Sequence, residues 1–442
     1  MEIIPIILIL LICGALLLGY PVAFTLAGTS ILFALIGIAL DFFDPNLFKT
    51  LPMRIFGIMN NQTLLAVPLF VLMGVILERA GIASKMLKDM AIVFRNTNSG
   101  LSISIILVGA LLAASTGIVG ATVVTMGLMS LPVMLSQGYE KDFSAGLVAS
   151  TGTLGQIIPP SIALVLLGDV MSNAYQRAQN NMGIFSQETV SVGDLFVGAI
   201  IPGMMIVIGY LAYTIFINRK KEFVHTDEIV DEVNIFKTLL PPATLIFAVL
   251  GSIIAGIATP TEAAGVGAFG ALIISALNGS LNLELIRVTS YKAATVTTMI
   301  FSILIGASIF SLIFRGVGGD LLVDQIFEMM PGGKYTALLF ILLAIFLFGF
   351  ILDFIEICYV IIPLVAPPLL MMGFDPVWLG ILMAINLQTS FLTPPFGFSL
   401  FYLRGVADES IKTTDIYKGV VPFILIQLAV LLTVIIFPFF IL

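Results

Sequence analysis

Thr151-Gly152-Thr153-Leu154-Gly155-Gln156-Ile157-Ile158-Pro159-Pro160 is the stretch that decides how this chain folds, together with Asn386-Leu387-Gln388-Thr389-Ser390-Phe391-Leu392-Thr393-Pro394-Pro395, 235 residues further on. Each gathers hydroxyl or amide side chains inside a long apolar run and ends on Pro-Pro. Proline removes a backbone donor and interrupts a helix, yet suits the first turn of a new one. Both stretches therefore read as helices that break and restart. Irregular backbone at membrane depth persists only where protein or a water-filled cavity satisfies it.

The surroundings are those of a membrane protein. Hydrophobic residues make up 59% of 442 and charged residues 10%, with a mean hydropathy of +1.15. A soluble domain carries about 25% charge. Twelve charge-free windows of 18 or more residues run from 3–40 to 419–442, against the roughly 20 residues a spanning helix needs. Window 3–40 fits two helices with a turn at Gly19-Tyr20-Pro21, and 96–139 fits two spans or a re-entrant hairpin. Met1-Glu2 lacks the basic start of a cleaved signal, so the first segment reads as a helix. Cys13 and Cys358 read as buried small hydrophobes. The net charge of −7 says little about partners, and no basic patch points to nucleic acid.

The charged segment 218–237 divides the chain into similar halves and reads as a cytoplasmic linker. With five crossings per half, 14 basic residues fall inside and five (Lys49, Arg54, Arg177, Arg315 and Lys334) outside, as the positive-inside bias requires. Both termini are then expected on the periplasmic side. Residues 130–168 overlay 365–403 without a gap, matching Pro132 with Pro367, Gly138 with Gly373 and Pro159-Pro160 with Pro394-Pro395. An odd number of crossings makes such repeats inverted, a device of secondary transporters. The expected fold is an all-α polytopic membrane protein of two inverted repeats, each with a re-entrant hairpin and a broken helix.

Ser115-Thr116-Gly117-Ile118-Val119-Gly120 reads as the tip of the first hairpin, and Ile351-Leu352-Asp353-Phe354-Ile355-Glu356 as its counterpart. Opened helices offer carbonyls to a cation and N–H groups to an anion. This is chemistry expected of Na⁺ moving with a carboxylate. Asp353, Glu356 and Glu262 are acids within apolar surroundings, expected to be functional unless they cap a helix.

Val67-Pro68-Leu69-Phe70, the Gly-rich tip, Gly155-Gln156-Ile157-Ile158-Pro159-Pro160-Ser161, Ala258-Thr259-Pro260-Thr261-Glu262-Ala263-Ala264 and Thr393-Pro394-Pro395-Phe396-Gly397 occur in one order. The chain thereby resembles the DctM-like large membrane subunit of TRAP (tripartite ATP-independent periplasmic) transporters, from Gly19 to the last helix. The resemblance implies a small four-helix membrane subunit and a periplasmic substrate-binding protein as partners. It implies Na⁺-coupled import of a small organic acid across the bacterial inner membrane by an elevator mechanism, with Na⁺ as coupling ion and no other metal or cofactor. The first repeat would span 1–217, scaffold to about 95 and transport elements from about 96. The second would span 238–442, scaffold to about 330 and transport elements from 331. The implied sodium ligands are Ser115, Thr116, Gly117, Gly120, Thr151, Gly152 and Thr153, and in the second half Asp353, Asn386, Gln388, Thr389 and Thr393. Gln156, Pro159, Pro160, Glu356, Pro394 and Pro395 are the candidates for contact with substrate. The bulky, doubly acidic second tip and the long segment Met171–Gly193 resemble a subgroup linked to keto and hydroxy acids, which argues against sialic acid and leaves the substrate open.

Other function classes fit less well. The sole histidine, His225, lies in the charged linker. There is no H-E-x-x-H motif and no P-loop, so neither a zinc enzyme nor an ATPase is expected. A channel would not need paired helix breaks. A standalone divalent-anion/Na⁺ symporter of related architecture is the nearer alternative. The polar stretch Ser172–Gly193 is expected to face the periplasm and help dock the binding protein.

Overall fold

The structure, a computed structural model, describes residues 3–94, 97–219 and 235–441, and the side chains of all of these except 115, 116 and 235–237. Most of the charged linker, with His225, lies outside the described residues. Where the chain is described it is helical, with short 3-10 turns and connecting segments between the helices.

Helices α1 (Ile3–Leu17) and α2 (Val22–Ala39) turn at Gly19-Tyr20-Pro21, as the sequence indicates. They are followed by α3 (Leu51–Met59), α4 (Ala66–Arg79) and α5 (Ile82–Val93), the last two bent by 57°. Helices α6 (Gly100–Thr116) and α7 (Val119–Ser136) form the first hairpin, which resolves window 96–139. Then come α8 (Lys141–Thr153), α9 (Ile162–Asn181) and α10 (Val192–Asn218). The second half runs α11 (Ile235–Ile254), α12 (Pro260–Leu277), α13 (Leu283–Gly316), α14 (Gly319–Met329) and α15 (Lys334–Phe348). It continues with α16 (Phe354–Val360), α17 (Ile362–Met371), α18 (Pro376–Leu392), α19 (Phe398–Arg404) and α20 (Thr413–Ile436). Among the described residues α2, α7, α10, α12, α13 and α20 are each long and apolar enough to cross a bilayer, and two bent pairs could add a span each. Large apolar side chains such as Phe24, Leu32, Phe247, Phe269 and Leu425 point outward, as a lipid-facing surface requires. The chain is a multi-pass membrane protein.

The offset of 235 holds for element boundaries as well as for residues. Helix α7 begins at Val119 and α16 at Phe354; α7 ends at Ser136 and α17 at Met371; α8 begins at Lys141 and α18 at Pro376. Packing is reciprocal too: α2 lies on α13 and α12 on α4, while α9 lies on α17 and α19 on α7. Helix starts are capped: Asp375 accepts from Trp378 N–H at 2.8 Å before α18, and Ser191 with Asp194 forms a capping box before α10. Glu262 does the same at α12, its Oε2 accepting Thr259 N–H at 2.8 Å, and it is exposed. It therefore caps a helix end rather than standing as an acid within the protein. Ser172–Asn181, read as part of a polar segment, continues α9 as helix because Ala174 and Ala178 bury a stripe and Gln179 ties to Glu188.

Backbones meet directly where α8 crosses α20. A Cβ on Gly146 would lie 2.0 Å from the Gly419 carbonyl oxygen, and one on Gly419 1.8 Å from that of Asp142. Small residues at such crossings let membrane helices approach closely. Gly146→Ala should therefore force α8 and α20 apart at a cost of about 1–3 kcal/mol. The expected result is a lower thermal midpoint in detergent, followed through the intrinsic fluorescence of Trp378. Gly14→Ala, whose Cβ would meet nothing within 4 Å, should not lower it.

Candidate functional site

The first hairpin closes over the first helix break. Gly117 ends α6 at φ +59°, a conformation L side chains rarely adopt, and its N–H reaches the Ala113 carbonyl at 3.0 Å. A Cβ there would sit 2.7 Å from the Ile162 nitrogen, so the tip rests on the N-terminus of α9. Ser115 and Thr116 form the last turn of α6; their side chains are outside the described ones. A Cβ on Gly152 would meet Val123 of α7, and one on Gly155 would stand 3.2 Å from the Ala113 oxygen. Thr151, Gly152 and Gly155 are thus enclosed between the arms of the hairpin. Gly120 faces the ring of Tyr402 on α19.

The hydroxyls of the break point their protons back into the helix. Thr151 Oγ1 donates to Leu147 O at 2.7 Å and Thr153 Oγ1 to Ser150 O at 2.8 Å. Across the gap, Ser161 Oγ donates to Gly155 O at 2.6 Å. A hydroxyl whose proton is already committed keeps lone pairs for a cation. Gln156, Pro159 and Pro160 are buried here, with Gln156 Oε1 lacking a hydrogen-bond partner.

In the second half the helix breaks at the Pro-Pro end of the expected stretch. Asn386, Gln388 and Thr389 lie within α18, which continues to Leu392, and the interruption falls at 393–397. The polar side chains find partners without opening the helix. Asn386 Nδ2 donates to Leu342 O at 2.8 Å and Ser390 Oγ to Phe346 O at 2.6 Å, both on α15. Thr389 and Thr393 donate to Ile385 O and Thr389 O on their own chain segment. After the gap, Ser399 Oγ donates to Phe391 O at 2.8 Å. Pro394 is half-buried and Pro395 exposed, its carbonyl accepting from the Tyr417 hydroxyl at 3.0 Å.

Asp353 and Glu356 form the capping box of α16. Asp353 Oδ1 accepts from Phe354 N–H at 2.7 Å and Glu356 Oε2 from Asp353 N–H at 2.9 Å. The spacing Asp-x-x-Glu signals this in sequence. Glu356 is buried and Asp353 half-buried. Tyr402 of α19 stands against Gly120 of the first hairpin and feels the charges of Asp353 and Glu356.

The two halves meet through buried amides. Gln388 Nε2 and Gln427 Nε2 lie 3.5 Å and 3.4 Å from Thr153 Oγ1, and Gln427 Nε2 donates to the Tyr210 hydroxyl at 2.7 Å. Sequence reading passed over Gln427, Tyr210, Tyr402 and Ser399, and took Ser161 only as part of a motif. A serine shortly after each Pro-Pro was a usable signal; nothing local marks the other three. Among the described residues no three His, Cys, Asp or Glu side chains gather as metal ligands would. The polar groups assembled at both breaks are chiefly neutral oxygens and amides.

The chain matches the family described as "Tripartite ATP-independent periplasmic transporter, DctM component" over residues 8–440. It is 29% identical to the C4-dicarboxylate TRAP transporter large permease protein DctM of Rhodobacter capsulatus, covering 96% of this chain and 94% of that one. It is 27% identical to the sialic acid large permease SiaM of Vibrio cholerae serotype O1 (97% and 95% covered) and 27% identical to the ectoine large permease TeaC of Halomonas elongata (96% and 95% covered). Among solved structures it is similar in fold to the YdaH transporter of Alcanivorax borkumensis, with a TM-score of 0.64 at 14% identity, covering 90% of this chain and 89% of that one. With a family match spanning nearly its whole length and relatives named as transporter permeases, the chain is a transport subunit rather than an enzyme, and it belongs to the DctM family of TRAP transporter large permeases.

Proposed function

We propose that this chain carries small organic acids into the cell with Na⁺ as the coupling ion, in the bacterial inner membrane. A small four-helix membrane subunit and a periplasmic substrate-binding protein are its proposed partners. The observation that carries the reading is the construction of the two breaks. Hydroxyls with committed protons and free lone pairs stand beside helix starts whose N–H groups favour an anion. The relatives named for C4-dicarboxylate, sialic acid and ectoine support carboxylate-bearing cargo.

An arrangement of two inverted repeats is supported by the constant offset of element boundaries and the reciprocal packing. The proposed orientation is supported by charges that gather in space. Arg54 and Arg177 are both electrostatic neighbours of Arg315, and all three belong to the outside set. Lys141 donates to Ser410 O at 3.0 Å, close in sequence to Arg404 and Lys412 of the inside set. The hairpins and broken helices form the proposed moving body; α1, α2 and α11–α13 belong to the proposed scaffold, and a second apolar core joins α1, α2 and α13 with Val360 of α16.

Two experiments test this. Uptake of a radiolabelled acid into vesicles, with the binding protein added, should collapse when K⁺ replaces Na⁺ at equal potential; each net charge moved inward gains about 2.3 kcal/mol per 100 mV. Asp353→Asn keeps the helix cap, since Asn caps as well as Asp, and should weaken Na⁺ dependence while the protein stays folded. Glu356→Gln should lose less, and unchanged Na⁺ affinity in Asp353→Asn would make that acid purely structural. The second experiment concerns docking. Cysteine at Asn180, exposed at the end of α9, should react with an impermeant thiol reagent from outside. Shortening the following loop, where Phe185 is 99% exposed, should reduce uptake driven by the binding protein; normal uptake would remove the loop from docking.

A further inference from the structure

A second polar site lies away from both breaks. A cavity of about 140 Å³ opens between α9, α13 and the α16–α17 bend, lined by Asp169, Asn173, Arg177, Arg315, Tyr359 and Pro363. Asp169, Asn173 and Arg177 recur every fourth residue on one stripe of α9, so the wall runs from an acid to a guanidinium over about 12 Å at 1.5 Å per residue. At the basic end Arg177 Nη2 donates to Asp320 Oδ2 at 2.6 Å. Arg315 is less well served: its Nε is buried without a hydrogen-bond partner, and Asp320 Oδ1 stands 3.8 Å away. At the acidic end Asp169 accepts from Asn61 Nδ2 at 2.8 Å. The buried Tyr359 hydroxyl lies beside the Asp169 carboxylate, its hydrogen-bonding neighbour.

A buried donor left unmatched costs about 1–3 kcal/mol, and Arg315 Nε is such a donor at the wall of this cavity. The arrangement is dipolar: guanidiniums at one end suit a carboxylate, while a carboxylate and a phenol at the other suit a hydroxyl or an ammonium. A cavity of this size holds roughly six non-hydrogen atoms, judging by the 150 Å³ cavity that takes benzene. We propose that this cavity binds a short carboxylate of three or four carbons carrying its own hydrogen-bond donor, with the carboxylate on Arg315 and Arg177 and the donor toward Asp169 and Tyr359. The binding stands on the cavity alone. Its role as a station on the import route, on the side where the outside arginines gather, rests on the import reading.

The test measures binding without transport and without Na⁺. Asn173 is exposed at the cavity wall, so Asn173→Cys in choline-based proteoliposomes should react with the neutral reagent N-ethylmaleimide. The parent protein, with Cys13 and Cys358 only, gives the background. Millimolar L-lactate or 4-hydroxybutyrate should slow the reaction saturably, on the order of five-fold, following 1 + [L]/Kd. Propionate, which lacks the donor, should protect less, and uncharged lactamide not at all. Arg315→Gln should abolish protection without changing the unprotected rate, and Arg315→Lys should keep part of it. Absence of protection by both hydroxy acids, or equal protection by lactamide, would overturn the proposal whether or not Arg315→Gln folds. Protection that persists while uptake proves independent of Na⁺ would overturn the coupling reading and leave this site standing.

Discussion

A helix that ends inside a bilayer leaves carbonyls and N–H groups with no water to meet them, at several kcal/mol for each one left bare. That constraint bears on the helix breaks among the described residues of this chain. At both breaks a serine beyond the gap donates back to a carbonyl before it: Ser161 to Gly155, and Ser399 to Phe391. On α18, Asn386 and Ser390 reach the Leu342 and Phe346 carbonyls of α15 and tie the second hairpin to the helix beside it. At the first tip, a left-handed glycine closes α6 and lays the turn on the start of α9. Interruptions that would be liabilities elsewhere become places where polar groups stand at membrane depth in fixed positions.

The same devices set the chemistry. Thr151, Thr389 and Thr393 spend their protons on carbonyls of α8 and α18, as does Thr153, whose oxygen also meets the Gln388 and Gln427 amides. What remains directed outward is acceptor character, which attracts a cation without offering a competing charge. Asp353 and Glu356 are bound to backbone N–H groups at the start of α16, an arrangement that holds two carboxylates near one another without a lysine or arginine of their own segment. Fixing the acids in this way leaves the remaining oxygens of each available.

Much of this was legible in the sequence, for reasons that lie in the residues. Pro159-Pro160 and Pro394-Pro395 mark helix interruptions because proline cannot donate. Gly117 marks a tip because few other residues take its backbone angles. The Thr259-x-x-Glu262 and Asp353-x-x-Glu356 spacings announce capping boxes, and reading those acids chiefly as intramembrane charges gave that signal too little weight. Asn386–Thr389 stay helical and the break falls at Pro394-Pro395, because whether a polar residue opens a helix depends on what its side chain can reach. The partners of Asn386 and Ser390 are carbonyls 44 residues away, and no local pattern reveals them. Gln427 and Tyr210 were invisible for the same reason: each looks like an isolated polar residue in an apolar span until three helices bring it to Thr153.

The contact between Thr153 and Gln388 carries more than its weak geometry suggests. These residues stand 235 apart, the offset that relates Val119 to Phe354 and Lys141 to Pro376. In an object built from two related halves, a position can touch its own counterpart only near the axis relating them. Nature has placed a hydroxyl on one side and an amide on the other, and completed the cluster with Gln427 and Tyr210 from helices outside the overlay. The two breaks nevertheless differ in surroundings: Pro159 and Pro160 are buried, while Pro395 and Phe396 are exposed. Strict symmetry would give both breaks the same access to solvent. Under the transport reading proposed above, halves that match in element boundaries but differ in exposure fit one state of an alternating device.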